Sequence, residues 1–208
     1  MRSARATGTA RLAASRCSFF PCTLGLALLL LSPRGLLAQE TPMPAKLRVA
    51  FALKTIEYDL NMKGRAPGGP RILVVGLTDQ GVSATEAQEM TQEFVSYFGK
   101  QPAGAGSAEK ILVGNALELR KKLDERPIHV MVLAQSLGAL SPALIGYAQE
   151  KKILVLSSER KQLEDGAAVC FLLKGGRPKI LIRVKAAVAQ GANFDPRLLR
   201  LAEVVDRV

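Results

Sequence analysis

The chain has 208 residues, 48% hydrophobic and 23% charged, which is enough to bury one sizeable core and too apolar for a disordered chain. Trp is absent and aromatic residues make up 5%, which argues against a stacking surface for bases or sugars and leaves Leu, Ile, Val and Ala to build the core. The formal charge of +11 falls to +6 beyond residue 38, because the first 38 residues hold five arginines and no acid; a mild excess of this size indicates no nucleic-acid partner.

The N-terminus reads as a secretory signal peptide: an arginine-bearing start, the apolar stretch "TLGLALLLL" from Thr23 to Leu31, and the small Ala38 before "QETPMP". The stretch is shorter than the about 20 residues a spanning helix needs, and Pro21 and Pro33 bracket it. Cleavage is placed after Ala38, making residues 1–38 the signal, 39–45 a short linker and 46–208 the exported domain, with no membrane span left; an uncleaved signal anchor is the alternative. Cys17 and Cys22 leave with the signal. Cys170 alone cannot form an internal disulfide, and within "AAVCFLL" it reads as a buried, inert hydrophobe, with intermolecular pairing as the alternative.

From Lys46, the spacing of Val49, Leu53, Ile56 and Leu60 predicts a helix of about four turns. "KGRAPGGP" breaks it, and "RILVVGL" (71–77) reads as a strand buried on both faces. "SATE" (Ser83 to Glu86) reads as a capping box opening a helix whose face continues through Met90, Phe94 and Phe98 to Gly99. A small-residue loop, the strand "KILVGN", the charged helix "ALELRKKLDE", the strand "IHVMVLA", the helix "SPALIGYAQEKK" and the strand "ILVLS" follow. "AAVCFLL" and "KILIRV", separated by "KGGRP", predict an antiparallel hairpin. "GANFDPRLLRLAEVV" (191–205) predicts a closing helix, with Asp195 as cap, Pro196 in the first turn, and Leu198, Leu199, Leu201, Ala202 and Val205 as its apolar face. The fold class is α/β: a single three-layer domain with a mostly parallel sheet of five to six strands, a C-terminal antiparallel hairpin and a closing helix.

Chemistry is sparse. "AQSLG" (Ala134 to Gly138) approximates a nucleophile elbow after the third strand, but the lone His129 lies within the preceding strand and no later histidine exists to act as base. Ser136 is then a turn or cap residue, and His129 a core or half-buried residue bonded to backbone. One histidine and one mature cysteine leave no transition-metal ligand set, so no metal, cofactor or catalytic residue is assigned. "GLTDQG" (76–81) lacks a phosphate-loop pattern, and a tight turn accounts for both its glycines. The acid pairs Glu57 with Asp59 and Glu164 with Asp165 read as solvated faces. Position alone supplies a candidate site: ligands of open α/β sheets bind beyond the carboxyl ends of the strands, where Thr78, Asp79, Asn115, Gln135, Ser136 and Ser157 fall. The same residues can serve as helix caps, and that reading takes precedence.

"VAFALKTIEYDLN", "ILVVGLTDQG", "HVMVLAQS", "ILVLSS" and above all the stretch from Gly166 to Val205 resemble the YfiR/HmsC-like family of exported bacterial proteins, over roughly Lys46 to Val205. The matching features are Gly166, Gly175-Gly176, Ile180 to Val184, Ala186-Ala187, Gly191 and Leu198-Leu199. The resemblance implies a non-enzymatic regulator in the periplasm of a Gram-negative bacterium. It also implies that the protein can form a homodimer and that it restrains an inner-membrane diguanylate cyclase by binding its periplasmic sensor region. Two positions depart from the family: Cys170 has no partner for the paired-cysteine redox response of well-known members, and Arg183 stands where the family often has Asn. The alternative to a regulator is a small-ligand-binding domain using the crevice at the strand ends.

Overall fold

The computed structural model describes residues 40–205, so the expected signal peptide lies outside the described residues. In chain order the elements are β1 (Glu40–Pro42), α1 (Ala45–Glu57), α2 (Met62–Arg65), β2 (Arg71–Leu77), α3 (Gly81–Phe98), β3 (Ser107–Val113), α4 (Ala116–Asp124), β4 (Val130–Leu133) and α5 (Leu140–Glu150). They continue with β5 (Leu154–Ser157), α6 (Arg160–Glu164), β6 (Val169–Lys174), β7 (Arg177–Ile182), α7 (Val184–Ala189), α8 (Pro196–Leu201) and β8 (Glu203–Val204).

One sheet runs β3-β2-β4-β5-β6-β7-β8, with β1 attached to β6. The strands from β3 to β6 pair in parallel, as strands joined through helices must. β6 and β7 form the expected antiparallel hairpin, turned by Gly175 and Gly176 at φ 57° and 75°, the left-handed pair that a two-residue turn of matching twist requires. The order reverses at β2, which has β3 on one side and β4 on the other. That switch point opens a crevice between the carboxyl ends of β2 and β4.

Strand alternation sends Ile72, Val74, Val130, Val132 and Phe171 to one face, where α1, α3, α7 and α8 cover them, with Phe94 at its centre. Leu73, Val75, Met131, Leu133 and Val155 go to the other face, under α4 and α5. Beneath α6, Cys170 packs with Leu163, Leu172 and Leu181. Burial pushes the Cys170 thiol up to about 11, against a weaker opposing effect of the neighbouring Ser157 hydroxyl. Iodoacetamide at neutral pH should therefore leave Cys170 unmodified in the native protein and alkylate it in guanidinium, as read by mass spectrometry. Rapid labelling of the native form would contradict this burial.

Several local expectations give way to tertiary contacts. The linker segment contributes β1 and the first residue of α1. The buried face of α1 is Arg48, Val49, Ala52, Thr55 and Ile56, so the stripe is rotated from the expected one and Leu60 is exposed. α3 begins at Gly81, and the capping box does not form: Ser83 Oγ accepts from Leu77 N at 3.0 Å, and Glu86 turns into the interior. Asp59 is likewise no solvated acid. It is buried, ion-paired with Arg65, and accepts from Asn61 N at 3.1 Å and Asn193 N at 2.9 Å, tying the end of α1 to the C-terminal segment. Asp195 caps α8 as expected, through Arg197 N at 2.8 Å. The closing helix nevertheless stops at Leu201, because Glu203 and Val204 leave it to pair with Leu181 and Ile182. Leu201 is 74% exposed as a result.

Candidate functional site: a filled crevice at the strand ends

Where the connections leaving β2 and β4 part to opposite faces of the sheet, the chain's own N-terminal segment crosses the opening. Arg48 on α1 and Glu86 on α3 meet there as a buried ion pair, with side chains 2% and 8% exposed. The second guanidinium nitrogen of Arg48 donates to the Met43 carbonyl, which anchors the stretch between β1 and α1. The Glu86 carboxylate also accepts from Gln135 N and, at 2.9 Å, from Gln135 Nε2, which ties α3 to the end of β4. Arg48, Glu86, Gln135 and the Met43 carbonyl thus bond to one another across four segments, while Arg48 Nε, also buried, has no acceptor. Bonds of this kind to the remaining donors and acceptors offset the cost of burying a charge pair.

The end of β5 is closed in the same manner. Ser157 Oγ donates to Val169 O at 2.9 Å, Ser158 Oγ to Leu133 O at 3.1 Å, and Gln162 Nε2 to Ala134 O at 2.7 Å. What stays open is a shallow cleft of about 500 Å3 at the surface, lined by Pro42, Pro44, Val82, Thr85, Glu89 and Gln135 among others.

The six crevice candidates separate accordingly. Gln135 is half-buried and engaged with Glu86. Ser136 is exposed at φ 61°, its N–H donating to Glu159 Oε1 at 3.2 Å. Thr78 and Asp79 are exposed on the β2 to α3 turn. Asn115 caps α4 by accepting from Glu118 N at 2.9 Å, and Ser157 is wholly buried in the sheet. The residues missed from sequence are Arg48 and Glu86. A signal for them was present: each sits at core spacing, Arg48 four residues before Ala52 and Glu86 four before Met90, so opposite charges interrupt two apolar stripes.

His129 lies just before β4, at the opposite end of that strand from Ser136, and its Nδ1 accepts from Arg71 N at 3.1 Å. Burial, with the charges of Arg65 and Arg71 adding, holds its imidazole below the ordinary value. The unfolded chain therefore binds more protons as pH falls below about 6.5, so stability is full above that pH and declines as pH drops through the depressed folded value. Urea midpoints should fall between pH 7.5 and 5.5, and by less in His129→Gln. An equal fall in both proteins would remove His129 from the pH response.

The YfiR/HmsC-like family model matches residues 46–203. The chain belongs to the YfiR/HmsC-like family. Membership supports a periplasmic, regulator-type protein. Among solved structures, this YfiR/HmsC-like chain is similar to an ABC domain from Streptococcus pneumonia in complex with L-Trp (14% identity, TM-score 0.55, covering 78% of this chain and 62% of that one). It is also similar to a conserved domain protein of Vibrio cholerae O1 biovar El Tor (12%, 0.56, 75% and 59%). A third is the ligand-free, open structure of CD0873 from Clostridium difficile, a substrate binding protein with adhesive properties (16%, 0.52, 74% and 59%). At these identities the likeness is one of fold, and the chain spans about three fifths of each of those chains. A local match of 66 residues at 36% identity to the mRNA cleavage and polyadenylation factor CLP1 of Coccidioides immitis spans 32% of this chain and 11% of that protein. No helix among the described residues is long and apolar enough to cross a membrane.

Proposed function

We propose that this YfiR/HmsC-like chain is exported, is cleaved after Ala38, and acts without catalysis as a periplasmic regulator that restrains an inner-membrane diguanylate cyclase by binding its periplasmic region. Family membership over residues 46–203 supports the class. The observation that supports the mode of action is the filled switch point: with Arg48, Glu86, Gln135 and Met43 bonded to one another where such folds take ligands, recognition falls to the outer surface. Deleting the gene should raise cyclic di-GMP, and crosslinking in intact envelopes should recover a membrane cyclase. Unchanged cyclic di-GMP together with no membrane partner would overturn the reading. Homodimerisation belongs to the same proposal and is read by sedimentation of the purified protein.

A second reading, small-ligand binding, rests on the cleft of about 500 Å3 beside Gln135, with Thr78, Asp79 and Ser136 nearby on the strand-end loops. A ligand at a hundred times its dissociation constant adds about 2.7 kcal/mol of stability, enough to register in a thermal-shift screen. No shift across a broad metabolite set would dismiss this reading.

A further inference from the structure

β6 outruns the parallel sheet. β5 ends opposite Cys170, and β6 continues four residues further, a distance of about 13 Å, flanked by β7 on one side and β1 on the other. The result is a three-stranded antiparallel projection beyond the carboxyl ends of the parallel strands. Its last row is Glu40, Lys174 and Arg177, which share one face. Lys179 lies on that face too, paired with Leu172. Lys174 and Arg177 are directly opposite one another, an arrangement that costs stability in a hairpin unless an anion offsets it. The acid of the row, Glu40, makes its hydrogen bonds to Arg160, a two-pronged pair at 2.7 and 2.6 Å, and offsets Lys174 only through the weaker effect of its charge. Among the described residues, Lys174, Arg177 and Lys179 are exposed and make no ion pair within 4 Å.

A second, independent observation gives this end a direction. β1 is antiparallel to β6, so the chain enters at the tip, beside Lys174, and runs back toward the body. The apolar stretch ending at Leu31 precedes Glu40 by nine residues, which reach at most about 30 Å even when extended. Until cleavage after Ala38, a bilayer that holds this stretch is within reach of the basic row, so export brings the row to a bilayer surface.

We propose that the end of the β1-β6-β7 projection is a membrane-contacting surface, on which Lys174, Arg177 and Lys179 engage the phosphate groups of an anionic phospholipid bilayer. Guanidinium and ammonium groups on a turn tip suit a plane of phosphates, since the tip can approach it without desolvating the rest of the domain. The contact would hold the protein at the membrane after export, and it needs no partner protein.

The test is co-sedimentation of the processed chain, recovered after export, with vesicles of phosphatidylcholine alone or with phosphatidylglycerol added. The expected result is binding only to the anionic vesicles, reversed by salt. The combined variant Lys174→Gln, Arg177→Gln, Lys179→Gln should lose roughly a hundredfold in affinity. Lys63→Gln, Lys121→Gln, Lys185→Gln, with the same loss of charge elsewhere on the surface, should bind like the wild type. Equal binding to both vesicle types, equal loss in the two variants, or binding to soluble polyglutamate without binding to vesicles would each overturn the proposal. The readout contains no cyclase, so its failure is distinguishable from failure of the regulator reading.

Discussion

Replacing Glu86 with leucine is expected to lower the unfolding free energy by about 3–5 kcal/mol, because it leaves the Arg48 guanidinium charged, buried and without its counter-ion. It also strips Gln135 N and Nε2 of their acceptor. The double variant Arg48→Met, Glu86→Gln should regain most of that loss. Both charges are then gone, methionine fills the volume, and the glutamine oxygen still accepts from Gln135 N. Guanidinium denaturation with an unchanged m-value reads the difference. A single variant as stable as the wild type would mean that the pair is open to water rather than closing the crevice. The same pair holds the Met43 carbonyl, so the single variant should also become sensitive to protease near residues 41–45.

Gly76→Ala is expected to cost about 1–3 kcal/mol, whereas Gly81→Ala, five residues on, should be neutral or stabilising by about 0.4–1 kcal/mol. The two glycines stand at either end of "GLTDQG", and neither is the tight-turn glycine expected from sequence. Gly76 is in β2, where an added Cβ would lie 2.9 Å from both Ala87 Cβ and the Ser83 carbonyl oxygen of α3. A backbone atom cannot swing aside, so α3 would have to move, and Glu86 with it. Gly81 is the first residue of α3 and a Cβ there meets nothing within 4 Å, so alanine only reduces the freedom of the unfolded chain. Thermal unfolding of the two single variants decides it. Equal midpoints would show that α3 does not ride on β2 as closely as described.

What the sequence determined by itself is the architecture. Runs such as "RILVVGL" and "ILVLS", too apolar for a half-solvated strand, demand cover on both faces, and helices between them force parallel pairing. "KGGRP" and Asp195-Pro196 carry their backbone geometry locally, so the hairpin and the cap of α8 were legible. For Arg48 and Glu86 the sequence carried only the break in two apolar stripes, which marks a position without naming its partner, and for Asp59 not even that. Only the tertiary fold brings Arg48 and Glu86, 38 residues apart, to the same opening, and Asp59 to Asn193, 134 residues away. The same holds for "SATE", where local rules offered Ser83 and Glu86 to the helix start, and for Glu203-Val204, which leave α8 to pair with β7. Once Ser83, Glu86 and Asp59 are buried, a partner for each becomes obligatory, and that need outweighs a local bond of about 1 kcal/mol; the exposed Glu203 and Val204 instead gain backbone pairing with β7. In both situations the partner depends on where distant segments meet.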